Sequence, residues 1–118
     1  MNNDGVGRAG GSEAGGDEPD ERTRRIIDVV MALGDGEVTT YGDVAEVAGY
    51  PRNARLVGRI LRTTDDDVPW WRVVGVGGHL KAHDTALQTR LLREEGVVVR
   101  VARVLDAPIG RFAHPEDH

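Results

Sequence analysis

Apolar residues recur along this chain in short blocks whose internal spacing changes from block to block. Ile26, Ile27, Val30 and Met31 fall at i, i+1, i+4 and i+5, which predicts a helix from about Asp20 that Gly34 closes. Gly34-Asp35-Gly36 reads as a turn and Val38 to Thr40 as a short extended piece. A second helix is predicted in TTYGDVAEVAG, where Thr40 is a good N-cap and Asp43 adds negative charge to the first turn. Val44, Ala45, Val47 and Ala48 give it a small apolar face, and Gly49 is its stop. RNARLVGRILR, residues 52–62, reads as a third helix. At 100° per residue Arg52, Arg55, Arg59 and Arg62 share a sector of about 80°, with Leu56, Val57, Ile60 and Leu61 opposite. Two short helices joined by a glycine-containing turn, the second carrying a basic face, form a helix-turn-helix. On composition alone, the same face is equally that of an ordinary amphipathic helix with solvated arginines.

Beyond a polar, acidic loop at Thr63–Asp67 lies VPWWRVVG, read as a strand, which would send Trp70 and Trp71 to opposite faces. GVGG at 75–78 reads as a turn or hairpin loop, because no helix opens directly behind it as a nucleotide-binding fingerprint requires. Asp84 caps a helix running through Leu87, Leu91 and Leu92 to Gly96, and VVVRV (97–101) is a strand, with Pro108 and Gly110 as breakers beyond it. The result is a mainly α fold with small β elements. Residues 1–20 read as a disordered acidic tail, 21–112 as one domain, and 113–118 as a flexible end.

A length of 118 residues suits one modest core, and no apolar run approaches a membrane span. No charged-then-apolar leader is present, so no secretory signal is expected. The chain has no cysteine, which removes disulfides, thiolate metal sites and a cysteine nucleophile together, and a cytoplasmic location is the default. The net charge of −5 argues at first against nucleic acid. Its distribution reverses that. Six acids and one base lie in residues 1–21, a net of −5, leaving 14 acids and 14 bases in the rest. A neutral domain binds DNA when its bases gather on one face.

His79 and His83, with Asp84 nearby, have a spacing that can hold a metal, but a catalytic zinc site needs three ligands in fixed geometry, and none is expected here. Glu94 and Glu95 sit at a helix C-terminus, the unfavourable end for acids, which calls for a cationic partner such as Arg72. No serine, histidine and acid constellation stands out, the sole serine being Ser12, and no cofactor loop is present. No catalytic residue is assigned.

Taken in order, GEVTTYGDVAEVAG, RNARLVGRIL, VPWWRVVG and LLREEGVVV resemble the DNA-binding domain of the O6-alkylguanine-DNA alkyltransferases, from about residue 24 to residue 101. The resemblance implies a winged helix-turn-helix-like fold whose helix 52–62 enters the minor groove. In that family the active-site stretch reads Pro-Cys-His-Arg-Val, and its cysteine takes the alkyl group from a guanine flipped out of the duplex. The matching residues here are Pro69, Trp70, Trp71, Arg72 and Val73. Indole has neither the acidity nor the lone pair of a thiolate, so transfer by the family mechanism is excluded. The chain thus resembles the alkyltransferase-like subgroup, which replaces this cysteine, commonly by tryptophan. Those proteins bind alkylated guanine without repairing it and pass the lesion to nucleotide excision repair.

The resemblance also implies roles for particular residues. Tyr41 matches the tyrosine that crowds the target phosphate, and Arg55 the arginine that fills the gap left by the flipped base. Arg52, Asn53 and Arg59 join them as DNA contacts, with Gly58 where the helix makes a close approach to DNA or to a neighbouring helix. Pro69, Trp70, Trp71, Arg72 and Val73 are assigned to the alkylguanine pocket, and Glu95 to the network that holds the histidine and arginine in the enzymes. Two departures stand out. Trp71 replaces the proton-relaying histidine and is expected behind the pocket, while His83 falls where relatives carry an arginine near the base, with Lys81 or His83 as its substitute. The implied partners are duplex DNA containing O6-alkylguanine and nucleotide excision repair proteins, with no membrane and, for want of a dimerisation helix, a monomer. The alternative is a helix-turn-helix transcription regulator that reads a preferred sequence in intact DNA.

Overall fold

The structure is a computed structural model that describes residues 20–114, so the expected tail, except Asp20, and residues 115–118 lie outside the described residues. Helix α1 (Glu21–Met31) starts where Asp20 Oδ1 accepts the Thr23 N–H at 2.8 Å, and it buries Ile26, Ile27 and Val30. Strand β1 (Glu37–Thr40) runs directly into α2 (Tyr41–Ala48), capped as expected by Thr40 Oγ1, which accepts the Asp43 N–H at 3.1 Å. Gly49 ends α2 with φ 97°, a conformation glycine adopts without penalty. Helix α3 spans Ala54–Thr63 and buries Val57 and Ile60. Strand β2 (Val73–Val74) precedes α4 (Thr85–Glu94), whose cap is Asp84 accepting the Leu87 N–H at 3.0 Å. Strands β3 (Val98–Val99), β4 (Val104–Asp106) and β5 (Ile109–Gly110) complete the order.

Two cores form, on either side of a small parallel sheet ordered β2-β1-β5. Helices α1, α2 and α3 enclose one, centred on Ile26, Val30, Val44, Ala45 and Val57. Helix α4 and the β3–β4 hairpin enclose the other, around Val38, Val74, Leu92, Val99 and Val104. Adjacent residues of a strand point to opposite faces, so Val73 enters the first core and Val74 the second. Each fully buried valine is worth roughly 1.5–3 kcal/mol of burial. The fold class is the expected one, mainly helical with small strands and a hairpin wing after α4. Among the described residues, no helix is long and apolar enough to cross a membrane.

Four local expectations are corrected. Trp70 and Trp71 do not lie in a strand but in a 3₁₀ turn, Trp70–Arg72, closed by the Arg72 N–H donating to the Pro69 carbonyl at 3.1 Å. Helix α3 begins at Ala54, because Arg52 adopts φ 74° in the turn after Pro51. The 97–101 strand stops at Val99, since Val101 and Ala102 take positive φ (47° and 56°) to reverse the chain into β4. Strands β4 and β5 arise where only breakers were read, and β5 pairs parallel to β1 with Glu37 opposite Ile109. Of the expected flexible end, Ala113 is held by its N–H donating to the Gly110 carbonyl at 3.1 Å.

Candidate nucleic-acid interface and base pocket

Arg55, Arg59 and Arg62 are carried on the side of α3 that leaves Val57 and Ile60 buried beneath it. Arg52 is exposed in the preceding turn and Asn53 occupies the N-cap position, without a side-chain capping bond, so the helix itself carries three guanidiniums rather than four. At the foot of this face lies a cavity of about 610 Å³, within the range of roughly 300–1,000 Å³ common for small-molecule sites. Tyr41 from the start of α2, Arg55, Gly58 and Arg62 from α3, and Trp70 from the 3₁₀ turn line it. Lys81 and His83, from the loop between β2 and α4, line it as well.

Burial raises the Tyr41 phenol above its ordinary pKa, against the opposing pull of Arg62, so its hydroxyl stays protonated at neutral pH and available as a donor. A Cβ on Gly58 would meet Arg62 Nη1 at 3.5 Å and Tyr41 Cε1 at 3.9 Å, which are ordinary contacts. The fold therefore does not require glycine there through close helix packing, and any demand for it comes from what approaches the cavity.

Trp70 packs against the helical core and Trp71 against the second one, with ring centroids 5.9 Å apart and planes at 88°. The His83 ring lies 6.3 Å from Trp70, tilted by 30°. Behind them sits a polar hub. Trp71 Nε1 donates to Glu95 Oε2 at 2.8 Å, and Arg72 meets the same carboxylate through Nε (3.0 Å to Oε1) and Nη2 (2.7 Å to Oε2). Arg72 Nη1 also donates to the Leu33 carbonyl at 2.7 Å, and the Gly36 N–H donates to Glu95 Oε1 at 2.8 Å. The Arg72 guanidinium stands 5.3 Å from the Trp71 ring centroid. Burial alone would push the Glu95 carboxyl up. The hydrogen bonds from Arg72, Gly36 and Trp71, with the charge of Arg72, outweigh it and hold the group below the usual carboxylate range.

The structure thus divides the residues assigned to the pocket. Trp70, Lys81 and His83 line the cavity together with Tyr41, Arg55 and Gly58, whereas Pro69, Trp71, Arg72 and Val73 do not. The 3₁₀ turn rotates Trp71 and Arg72 away from the cavity, and Val73 is fully buried in the helical core. Arg52, Asn53 and Arg59 are also outside the lining. Trp71 sits behind the cavity on the second core, and its side chain keeps a hydrogen-bonded link to Glu95, but only as a donor, since indole nitrogen has no lone pair to offer.

Sequence reasoning left several contributors out of the site, among them Arg62, Val76 and Gln88. Arg62 and Val76 line the cavity, and Gln88, fully buried on α4, clamps the turn. Gln88 Nε2 donates to the Trp71 carbonyl at 3.1 Å and the Val73 carbonyl at 3.2 Å. Its signal was available, because Gln88 stands one turn from both the Asp84 cap and the buried Leu92, at a core position where a polar side chain needs partners. Among the described residues, no three His, Asp or Glu side chains come together as a metal site.

The family described as the 6-O-methylguanine DNA methyltransferase DNA-binding domain matches residues 21–97. A DNA base-flipping protein of Escherichia coli K12 is 39% identical over 94 residues, covering 76% of this chain and 73% of the relative. Alkyltransferase-like protein 1 of Schizosaccharomyces pombe is 34% identical over 86 residues, covering 68% of this chain and 80% of the relative. A crystal structure of S. pombe Atl1 in complex with damaged DNA containing O6-carboxymethylguanine superposes with a TM-score of 0.64 at 32% identity, covering 70% of this chain and 82% of that one. With this coverage, this fold and no cysteine in its sequence, the chain belongs to the DNA-binding-domain family of the 6-O-methylguanine DNA methyltransferases, as an alkyltransferase-like member that lacks their thiol chemistry.

Proposed function

We propose that this protein is a non-catalytic sensor of O6-alkylguanine in duplex DNA. Helix α3 docks in the minor groove, Tyr41 and Arg55 promote rotation of the damaged nucleotide, and the flipped base enters the cavity beside Trp70. The bound complex then marks the site for nucleotide excision repair, and the protein acts as a cytoplasmic monomer. One observation carries this reading: the side chain matching the family's alkyl acceptor, Trp70, lines a cavity roomy enough for a base and its adduct that opens beside the basic helix. An indole there offers the alkyl group an apolar surface and the base a stacking face, and it can do neither thiolate attack nor proton relay.

The test is a titration of duplexes containing O6-methylguanine or guanine at one fixed salt concentration, since phosphate contacts make every affinity salt-dependent. A preference of at least about ten-fold for the lesion is expected, equivalent to about 1.4 kcal/mol. Equal affinity for both would refute the reading and favour a sequence-reading regulator.

Arg55 is exposed on α3 and also lines the cavity, which supports its assignment as the residue that fills the vacated stack. Unstacking costs a few kcal/mol, part of which a stacked guanidinium offsets. Arg55→Ala is therefore expected to weaken lesion binding about ten-fold and to lower the flipped population, read from the fluorescence of 2-aminopurine placed beside the lesion. Unchanged affinity and fluorescence would remove Arg55 from that role.

A further inference from the structure

Charge is distributed unevenly around the cavity. Arg55, Arg62 and Lys81 line it with His83, and no carboxylate does among the described residues. The two arginines belong to α3, whose outer face carries the bases expected on phosphates. Lys81 comes from a different element, the loop between β2 and α4, and its exposed side chain runs alongside Gly75. A Cβ on Gly75 would come within 2.8 Å of Lys81 Cε, 2.9 Å of Cδ and 3.2 Å of Cγ. Gly75 has φ −80°, so its backbone does not demand glycine. An added methyl there would displace the far end of the lysine side chain, which is free to move. Among the described residues, Lys81 has no ion pair or hydrogen bond, although its stem runs along the wall of the cavity.

We propose that Lys81 makes this cavity selective for O6 substituents that carry a negative charge, the carboxylate class, over neutral alkyl groups of the same size. The proposal rests on the O6-alkylguanine reading and specifies the adduct it favours. Trp70, Leu61 and Val76 cover the methylene part of such an adduct, and the ammonium meets its carboxylate at the cavity wall. A charge-assisted N–H···O contact is roughly twice as strong as a neutral one, and the neighbouring indole reduces screening by water. A neutral amide of the same shape keeps the apolar contact and can still accept a hydrogen bond from the ammonium, but it carries no charge to pair with it.

The experiment compares duplexes carrying O6-carboxymethylguanine, its neutral counterpart O6-carbamoylmethylguanine, O6-methylguanine or guanine, each at two salt concentrations. The quantity read is the carboxymethyl-to-carbamoylmethyl affinity ratio. In the natural protein it is expected to be about ten-fold, the scale of a partly screened ion-pair attraction of about 1.4 kcal/mol. Lys81→Gln should bring the ratio close to one, and Lys81→Arg should retain part of it. Gly75→Ala keeps the charge but displaces the stem, so it should lower the ratio as well. A ratio near one in the natural protein overturns the proposal. So does a ratio that survives Lys81→Gln while all affinities fall together and the salt dependence flattens, because Lys81 would then be a phosphate contact. No preference for any modified guanine over guanine overturns the lesion reading itself, and the proposal with it.

Discussion

Glu95→Ala is expected to destabilise the domain by about 3–5 kcal/mol, the usual cost of removing one partner from a buried ion pair. The side chains of Arg72 and Glu95 are 10% and 12% exposed, so water can replace little of what is lost. The substitution takes away three hydrogen bonds from Arg72, the acceptor of the Trp71 indole and the acceptor of the Gly36 N–H. Arg72 keeps the Leu33 carbonyl and the exposed Asp35, which places the expected loss nearer the lower figure. Against a total stability of roughly 5–15 kcal/mol for a domain of this kind, even that is a large fraction. Urea denaturation checks it, and a midpoint within error of the natural protein's would refute the account.

The same carboxylate predicts a pH dependence. Its folded pKa is held below the unfolded value, so its contribution is present above the ordinary glutamate value of about 4.3 and is lost as pH falls through the folded pKa. The natural protein should therefore lose stability below that value more steeply than Glu95→Gln, whose amide does not titrate there. Parallel pH profiles would show that the hub does not act through this charge.

Trp70→Cys is expected to give a thiol at the cavity that transfers alkyl groups no faster than an unassisted cysteine. The geometry supplies the reason. The residue that would have to accept the thiol proton is Trp71, whose one polar atom is an N–H already committed to Glu95. Positioned acid–base assistance is worth roughly 10²- to 10⁴-fold, and the single variant lacks it. Adding Trp71→His restores a ring that can hold a proton between Glu95 and the new thiol, and transfer should rise by a substantial part of that range. Single-turnover assays with O6-methylguanine duplexes, following alkylation of the protein by mass, separate the two variants. Efficient transfer by Trp70→Cys alone would show that no relay is needed in this cavity.

Local chemistry made some of this legible in advance. Thr40 and Asp84 were readable as caps and Gly49 as a stop because each acts within a few residues of its own position. The Arg72–Glu95 pair was readable because an acid at the end of a helix needs a cation. The tryptophan turn was not. Its shape depends on Gln88 holding the Trp71 and Val73 carbonyls from 17 and 15 residues away, and periodicity in the segment itself carries no trace of that. Arg52 was read into α3 because its spacing matched the basic face, but the reversal after Pro51 places it in left-handed backbone. Strand β5, two residues long, exists only through its pairing with β1. The cavity was half legible. Motif resemblance named Tyr41, Arg55, Trp70, Lys81 and His83, but only three dimensions separate the residues that face the opening from Pro69, Trp71, Arg72 and Val73 behind it.

The tryptophan pair has an optical consequence. Two indoles 5.9 Å apart with perpendicular planes absorb as a coupled chromophore rather than as independent rings. One borders the cavity and the other is tied to the Glu95 hub, so the pair spans the boundary between the two cores. The far-ultraviolet circular dichroism therefore carries a signature of this one turn, superimposed on that of the helices. A ligand that shifts Trp70 alters the coupling, and a loss of the hub abolishes it, which gives the molecule a built-in spectroscopic gauge of its own pocket.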